Sequence, residues 1–230
     1  MSKRVCNVCS LIINLTIFIV SAFSVAHGFR TDIIREEVEW FSFVGLQNLR
    51  YYTTLSNVFC ALTAVVTLFF NVRNVVRDEY RFPTAITLLK YSSTVSIALT
   101  FLTVALFLSP MVALSGNGYF TLFLGNSFFM HFLTPVLAIT EFLLFERANF
   151  LRFKYTFFAV IPAAIYSVVY FSCVLLFKVW PDFYNFTLGG NYGAVPLVVS
   201  GMYALTYVIS LLIFLLHKKT FGKGFSEDKA

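Results

Sequence analysis

Apolar and polar positions along this chain fall into six long apolar stretches separated by short polar intervals. The first runs from Val5 to His27, the second from Tyr51 to Phe70 and the third from Ala85 to Leu108. The fourth spans about residues 121–145, with its start between Tyr119 and Phe128 and its end at Phe145. The fifth is Tyr155 to Phe177 and the sixth Ala194 to Leu216. A hydrocarbon layer roughly 30 Å thick takes about 20 helical residues to cross. In lipid every backbone polar group must be satisfied internally, so continuous runs of this length are read as helices. The pattern predicts an all-α fold: a polytopic bundle of six transmembrane helices forming one membrane domain over residues 1–230, with a polar tail at 217–230.

Composition strengthens this reading. Of the 230 residues 59% are hydrophobic and 12% charged, and the mean hydropathy is +0.81. Six spans leave no room for a separate soluble domain. The net charge of +6 would point to nucleic acid in a soluble protein. Here the basic residues sit in clusters between apolar runs, so no nucleic-acid partner is expected. One side of the membrane collects Lys3, Arg4, Arg73, Arg77, Arg81, Arg147, Arg152, Lys154, Lys218, Lys219, Lys223 and Lys229; the other has Arg30, Arg35, Arg50 and Lys178. The basic side is expected to be cytoplasmic, with both termini there and the chain in the cell membrane. Cys6 and Cys9 form a C-x-x-C without a second pair or a nearby histidine, so no metal is expected.

Two segments admit more than one reading. Lys3-Arg4, the following apolar stretch and the triplet Ser24-Val25-Ala26 imitate a signal peptide, whose removal would leave five spans with unchanged sides. The interval from Gly28 to Arg50 holds four of the eleven acidic residues and then Trp40, Phe41 and Phe43. It reads as a segment lying at the headgroups, with a substrate gate as the alternative.

Ionisable groups inside apolar spans are costly and face a partner or a cavity. Three need an account: Lys90, His131 and Glu141. Lys90 and Glu141 lie at similar depth near the basic side and are expected to form a structural ion pair; a single pair supplies no relay across the membrane. His131 shares a helical sector with Ser127, Thr134, Pro135 and Ala138, a polar and small face that should turn inward. On the second span Thr53, Asn57, Cys60, Ala61 and Ala64 recur at helical spacing, with Thr54 adjoining. Such a face serves close helix packing, and Asn57 would bridge two helices. A haem carrier would need histidines that face one another, and only His27 and His131 lie within the expected spans. No cofactor is expected.

Two short motifs change the weight of these residues. Tyr52-Thr53-Thr54-Leu55-Ser56-Asn57 opens the second span, and Phe129-Met130-His131-Phe132-Leu133-Thr134-Pro135 lies in the fourth, with Glu141 ten residues after the histidine. In these motifs, in length and in the number of spans the chain resembles the androgen-induced-like integral membrane proteins, more closely their bacterial branch. Characterised animal members hydrolyse fatty acid esters of hydroxy fatty acids. The resemblance implies an intramembrane lipid ester hydrolase with Thr53 or Thr54 as nucleophile, His131 as base and an acyl-chain ester as substrate. The threonine stays open, because alignment on Asn57 favours Thr54 against the animal pattern and Thr53 against the bacterial one. A second histidine of the animal enzymes is replaced here by Asn126, Ser127 or Phe128. Imidazole can take the proton of an attacking hydroxyl, and Asn57 is the candidate donor for the resulting oxyanion, with Thr134 a supporting neighbour. A small-solute or ion transporter using Lys90 and Glu141 is the alternative function.

Overall fold

A computed structural model describes residues 3–30, 45–146 and 151–221. It contains six helices long and apolar enough to span a membrane: Arg4–Gly28, Tyr52–Arg77, Thr84–Leu114, Asn126–Leu144, Tyr155–Leu176 and Tyr192–Phe221. Six crossings among the described residues put the start of the first span and the end of the last on one side of the bundle. Most of the Gly28 to Arg50 interval, with Trp40, Phe41 and Phe43, lies outside the described residues, as does the tail beyond Phe221.

The first two spans make the most extensive helix pair, and their sequences explain why. On span one, Asn7, Ser10, Asn14, Ile17, Ser21 and Ser24 are all buried. They recur at alternating steps of three and four residues. Asn57, Cys60, Ala64, Thr67, Asn71 and Asn74 repeat the same steps on span two and are likewise buried. A repeat averaging 3.5 residues keeps one seam facing its partner along the whole length. Small side chains let the backbones approach, and polar ones hydrogen-bond across, at about 0.6 kcal/mol per bond in transmembrane bundles. These bonds make the first helix part of the bundle; loss of a leader at residue 26 would take them away.

The third span runs through the centre. Every residue from Lys90 to Thr100 is buried, and Tyr91, Val95, Ala98 and Leu99 pack with Phe142, Ala163, Ile209, Ile213 and Phe214 from the later spans.

Prolines accompany two of the wide turns in the bundle. Pro110 lies within span three and Pro135 within span four, and each follows a turn of i→i+5 bonding, at Val104–Leu108 and Phe129–Leu133. Such a wide turn accommodates the ring that would collide with the preceding turn of a regular helix. In each turn the first carbonyl, Val104 or Phe129, is bonded by the N–H five residues on. The next carbonyl, Ala105 or Met130, would need the N–H of the proline, which has none. Side chains supply the missing donors: the Tyr119 hydroxyl bonds Ala105 O at 2.7 Å, and Asn57 Nδ2 reaches Met130 O at 3.3 Å.

Several boundaries differ from expectation. Span two continues to Arg77 because Asn71 and Asn74 remain on the buried seam. Span three continues to Leu114 because the wide turn absorbs Pro110. Span four starts at Asn126, within the expected interval from Tyr119 to Phe128 and after a tight turn at Tyr119–Phe123. Span six continues to Phe221 rather than ending at Leu216. There His217 is buried between Phe142 and Phe221, each 5.0 Å away ring to ring, and packing holds the last turn helical.

Candidate functional site

The termini-distant half of the bundle holds the residues singled out for chemistry. Thr54 is fully buried and donates its hydroxyl to Asn48 Oδ1 at 3.0 Å. Asn48 belongs to the turn Gly45–Arg50 and lies against Gly28, where an added Cβ would stand 2.2 Å from Asn48 Nδ2. Thr53 points elsewhere. It lines a small cavity with Leu99, Thr100 and Thr103 of span three and with Tyr166, Tyr184 and Phe186. Successive helical residues differ by about 100° in direction, which separates the two threonines into different surroundings. Thr53 therefore leaves the seam face on which its spacing placed it.

His131 is buried. Its Nδ1 lies 2.6 Å from Leu122 O, so this nitrogen carries the proton and Nε2 is the basic one. The ring meets Phe123 edge-on at 6.4 Å, and Phe123 in turn rests on Phe101 of span three. Phe123 thus stands between His131 and span three, whose Leu99, Thr100 and Thr103 line the Thr53 cavity. Asn57 ties the turns of Thr53 and His131 together: Nδ2 lies 2.8 Å from Thr53 O and 3.3 Å from Met130 O. This holds the Met130–His131 turn beside the Thr53 turn. No hydrogen bond joins either threonine hydroxyl to His131 among the described residues. Both N–H bonds of the Asn57 amide are engaged, so donation to an oxyanion requires it to release a carbonyl. Thr134 is fully buried, 3.4 Å from Ser21 Oγ.

Sequence reasoning passed over the partners from span one and the first turn. Asn126 donates to Ser24 O at 3.0 Å, and Ser24 Oγ, Asn57 Oδ1 and Asn126 Oδ1 are buried without partners. The signal was present in the three-and-four spacing of Ser21 and Ser24 with Asn14.

Two features frame Thr53. An apolar cavity of about 430 Å³ lies between spans two, three and five, lined by Leu55, Phe59, Ile165, Val169 and Trp180, with Ser56 and Ser96 on its inner wall. Leu55, Ile165 and Val169 are exposed, so the cavity opens on the lipid-facing surface. Tyr52 and Tyr166, with ring centroids 5.1 Å apart, line both this cavity and the Thr53 cavity. Above them, Trp180, Phe183, Tyr184 and Phe186 fold over Tyr170. Asp182 fixes that loop. Partial burial works against its charge, but donors from Tyr170, Thr187 and Phe186 outweigh this and hold its carboxyl below the usual range.

Near the termini-bearing face, Lys90 Nζ lies 2.5 Å from Glu141 Oε1 and 2.7 Å from Glu146 Oε2, all three side chains buried. Glu146 follows the fourth span and so read as loop. Its N–H bonds Glu141 O at 3.2 Å, which folds it back onto Lys90.

No protein-family model matches the chain, and neither does any curated protein or solved structure. Among the described residues no three His, Cys, Asp or Glu side chains converge as a metal site would.

Proposed function

We propose that this multi-pass membrane protein is an intramembrane lipid ester hydrolase, with Thr53 as nucleophile and His131 as base. The observation that carries the reading is the lipid-facing apolar cavity of about 430 Å³ that shares Tyr52 and Tyr166 with the cavity holding Thr53. It offers a place for an acyl tail beside a hydroxyl. The resemblance in the two motifs supplies the chemistry. Of the two threonines, Thr54 is already committed to Asn48, whereas Thr53 faces a small cavity, which favours Thr53.

Thr53 Oγ1 attacks the ester carbonyl carbon while His131 Nε2 takes its proton. The tetrahedral oxyanion then expels the alkoxide, which leaves as an alcohol with the proton from His131. Water, activated by the same imidazole, releases the fatty acid and restores Thr53. Tyr184 is the best-placed donor for the oxyanion: it lines the Thr53 cavity and its hydroxyl already accepts from Tyr52 N at 3.0 Å, leaving its own proton to give. The basic termini-bearing side faces the cytoplasm of a cell membrane in this reading, so substrate enters from the outer leaflet.

The test is fatty acid release from acyl-chain esters by the purified chain in liposomes. Thr53→Ala and His131→Ala each abolish release at normal expression, and Thr54→Ala lowers it through loss of the Asn48 contact. Full release by Thr53→Ala would refute the assignment. Ion or solute flux into the same liposomes, lost on Glu141→Gln, would instead favour the transporter.

A further inference from the structure

The buried cluster near the termini-bearing face is out of charge balance. Among the described residues it contains two carboxylates, Glu141 and Glu146, and one ammonium, Lys90, each at most 4% exposed. Two ionised carboxylates on one ammonium would leave a net negative charge buried within the bundle. An uncompensated charge there costs several kcal/mol, and two carboxylates that share a site do not readily both ionise.

Among the described residues, the other polar groups around the pair do not supply the missing charge. Ser10 Oγ and Asn14 Nδ2 donate to Glu141 Oε1 at 2.5 and 3.0 Å, and Tyr80 donates to Glu146 Oε1 at 3.3 Å. These are neutral donors. His217, from span six, lies with Nε2 2.6 Å from the backbone oxygen of Glu146, not from its carboxylate. Cys60, from span two, lines a water-sized cavity with Asn14, Thr63, Lys90 and Glu141.

A second observation points to solvent reaching this cluster. Asn71 is fully buried and donates to Ser10 Oγ at 3.0 Å, the same hydroxyl that bonds Glu141, while its Oδ1 has no partner. Asn7 Oδ1 and Asn74 Nδ2, toward the termini-bearing end of the same seam, are also buried and unmatched. Unmatched buried donors and acceptors in a polar seam are the usual seat of ordered water.

We propose that Glu141 and Glu146 hold one exchangeable proton between them, bound across Lys90 and reached from the termini-bearing face along the asparagine seam between spans one and two. The ligand is a proton, and the site is separate from the esterase reading, so either can fail without the other.

The experiment is infrared difference spectroscopy of the full chain in lipid nanodiscs, from about pH 5 to about pH 9, a range that brackets ordinary carboxyl and imidazole titration. The wild-type chain shows one protonated carboxyl band at neutral pH, shifted promptly by deuterated water. Glu141→Gln and Glu146→Gln each abolish it, because one remaining carboxylate then matches one ammonium. Lys90→Met doubles it. Asn71→Leu keeps the band and slows its exchange at least tenfold. The wild-type spectrum alone can overturn the proposal if both carboxyls are ionised at neutral pH, or if the extra proton proves to be on His217. A band that survives in both glutamine variants overturns it as well.

Discussion

Replacing Asn57 by leucine probes how the bundle copes with Pro135. The change removes the amide nitrogen that serves Thr53 O and Met130 O. The Thr53 carbonyl keeps the Ser56 hydroxyl as a donor at 3.0 Å, whereas the Met130 carbonyl is left with none. A buried acceptor without a partner costs about 1–3 kcal/mol, while interhelical bonds in transmembrane bundles reach about 1.7 kcal/mol at most. Asn57→Leu should therefore destabilise the chain by about 1–2 kcal/mol. The cause is specific, and Pro135→Ala removes it by returning a backbone N–H to the turn that needs one. In the Pro135→Ala background Asn57→Leu should cost about 1 kcal/mol less. Reversible unfolding of the four proteins in mixed micelles measures the cycle. Costs that add within about 0.5 kcal/mol, the usual margin for independent sites, would refute the account of the wide turn.

Three further outcomes follow from the same geometry. Tyr119→Phe frees Ala105 O in the parallel turn before Pro110, but Tyr119 is 38% exposed and headgroup water can replace it, so its cost in the same assay should be below that of Asn57→Leu. Gly28→Ala sets a methyl group 2.2 Å from Asn48 Nδ2 and should cost about 1–3 kcal/mol as an overpacked contact, with Asn48→Ala in the same chain recovering part of the loss. Asp182, held below its ordinary value, contributes loop stability that is complete at neutral pH and lost as pH falls through its folded value. Trp180 fluorescence in a Trp40→Phe chain should be flat near neutrality and change only under acid conditions, and Asp182→Asn should remove the acid transition.

Much of the fold was legible in the sequence because lipid imposes one rule on every span, and the apolar runs obey it. The ends of spans were less legible. Pro110 and His217 read as stops, yet a wide turn absorbs the proline and two aromatic rings bury the histidine. The division of labour between Thr53 and Thr54 was hidden because it depends on Asn48, which precedes the span and contacts Gly28 only once the helices meet. Lys90 and Glu141 could be matched by depth. Glu146 could not, since its position past Phe145 gives no sign that it folds back. The seam between spans one and two was present all along as a three-and-four alternation of small polar residues, which an eye for apolar periodicity passes over.

The most direct test of the esterase reading is the intact mass of the chain after brief exposure to an activated acyl-chain ester, followed by peptide mapping of any adduct. A single acyl group on Thr53, absent from Thr53→Ala and from His131→Ala, is the predicted result. An acyl group on Thr54, or ester turnover with no adduct on either threonine, would contradict it.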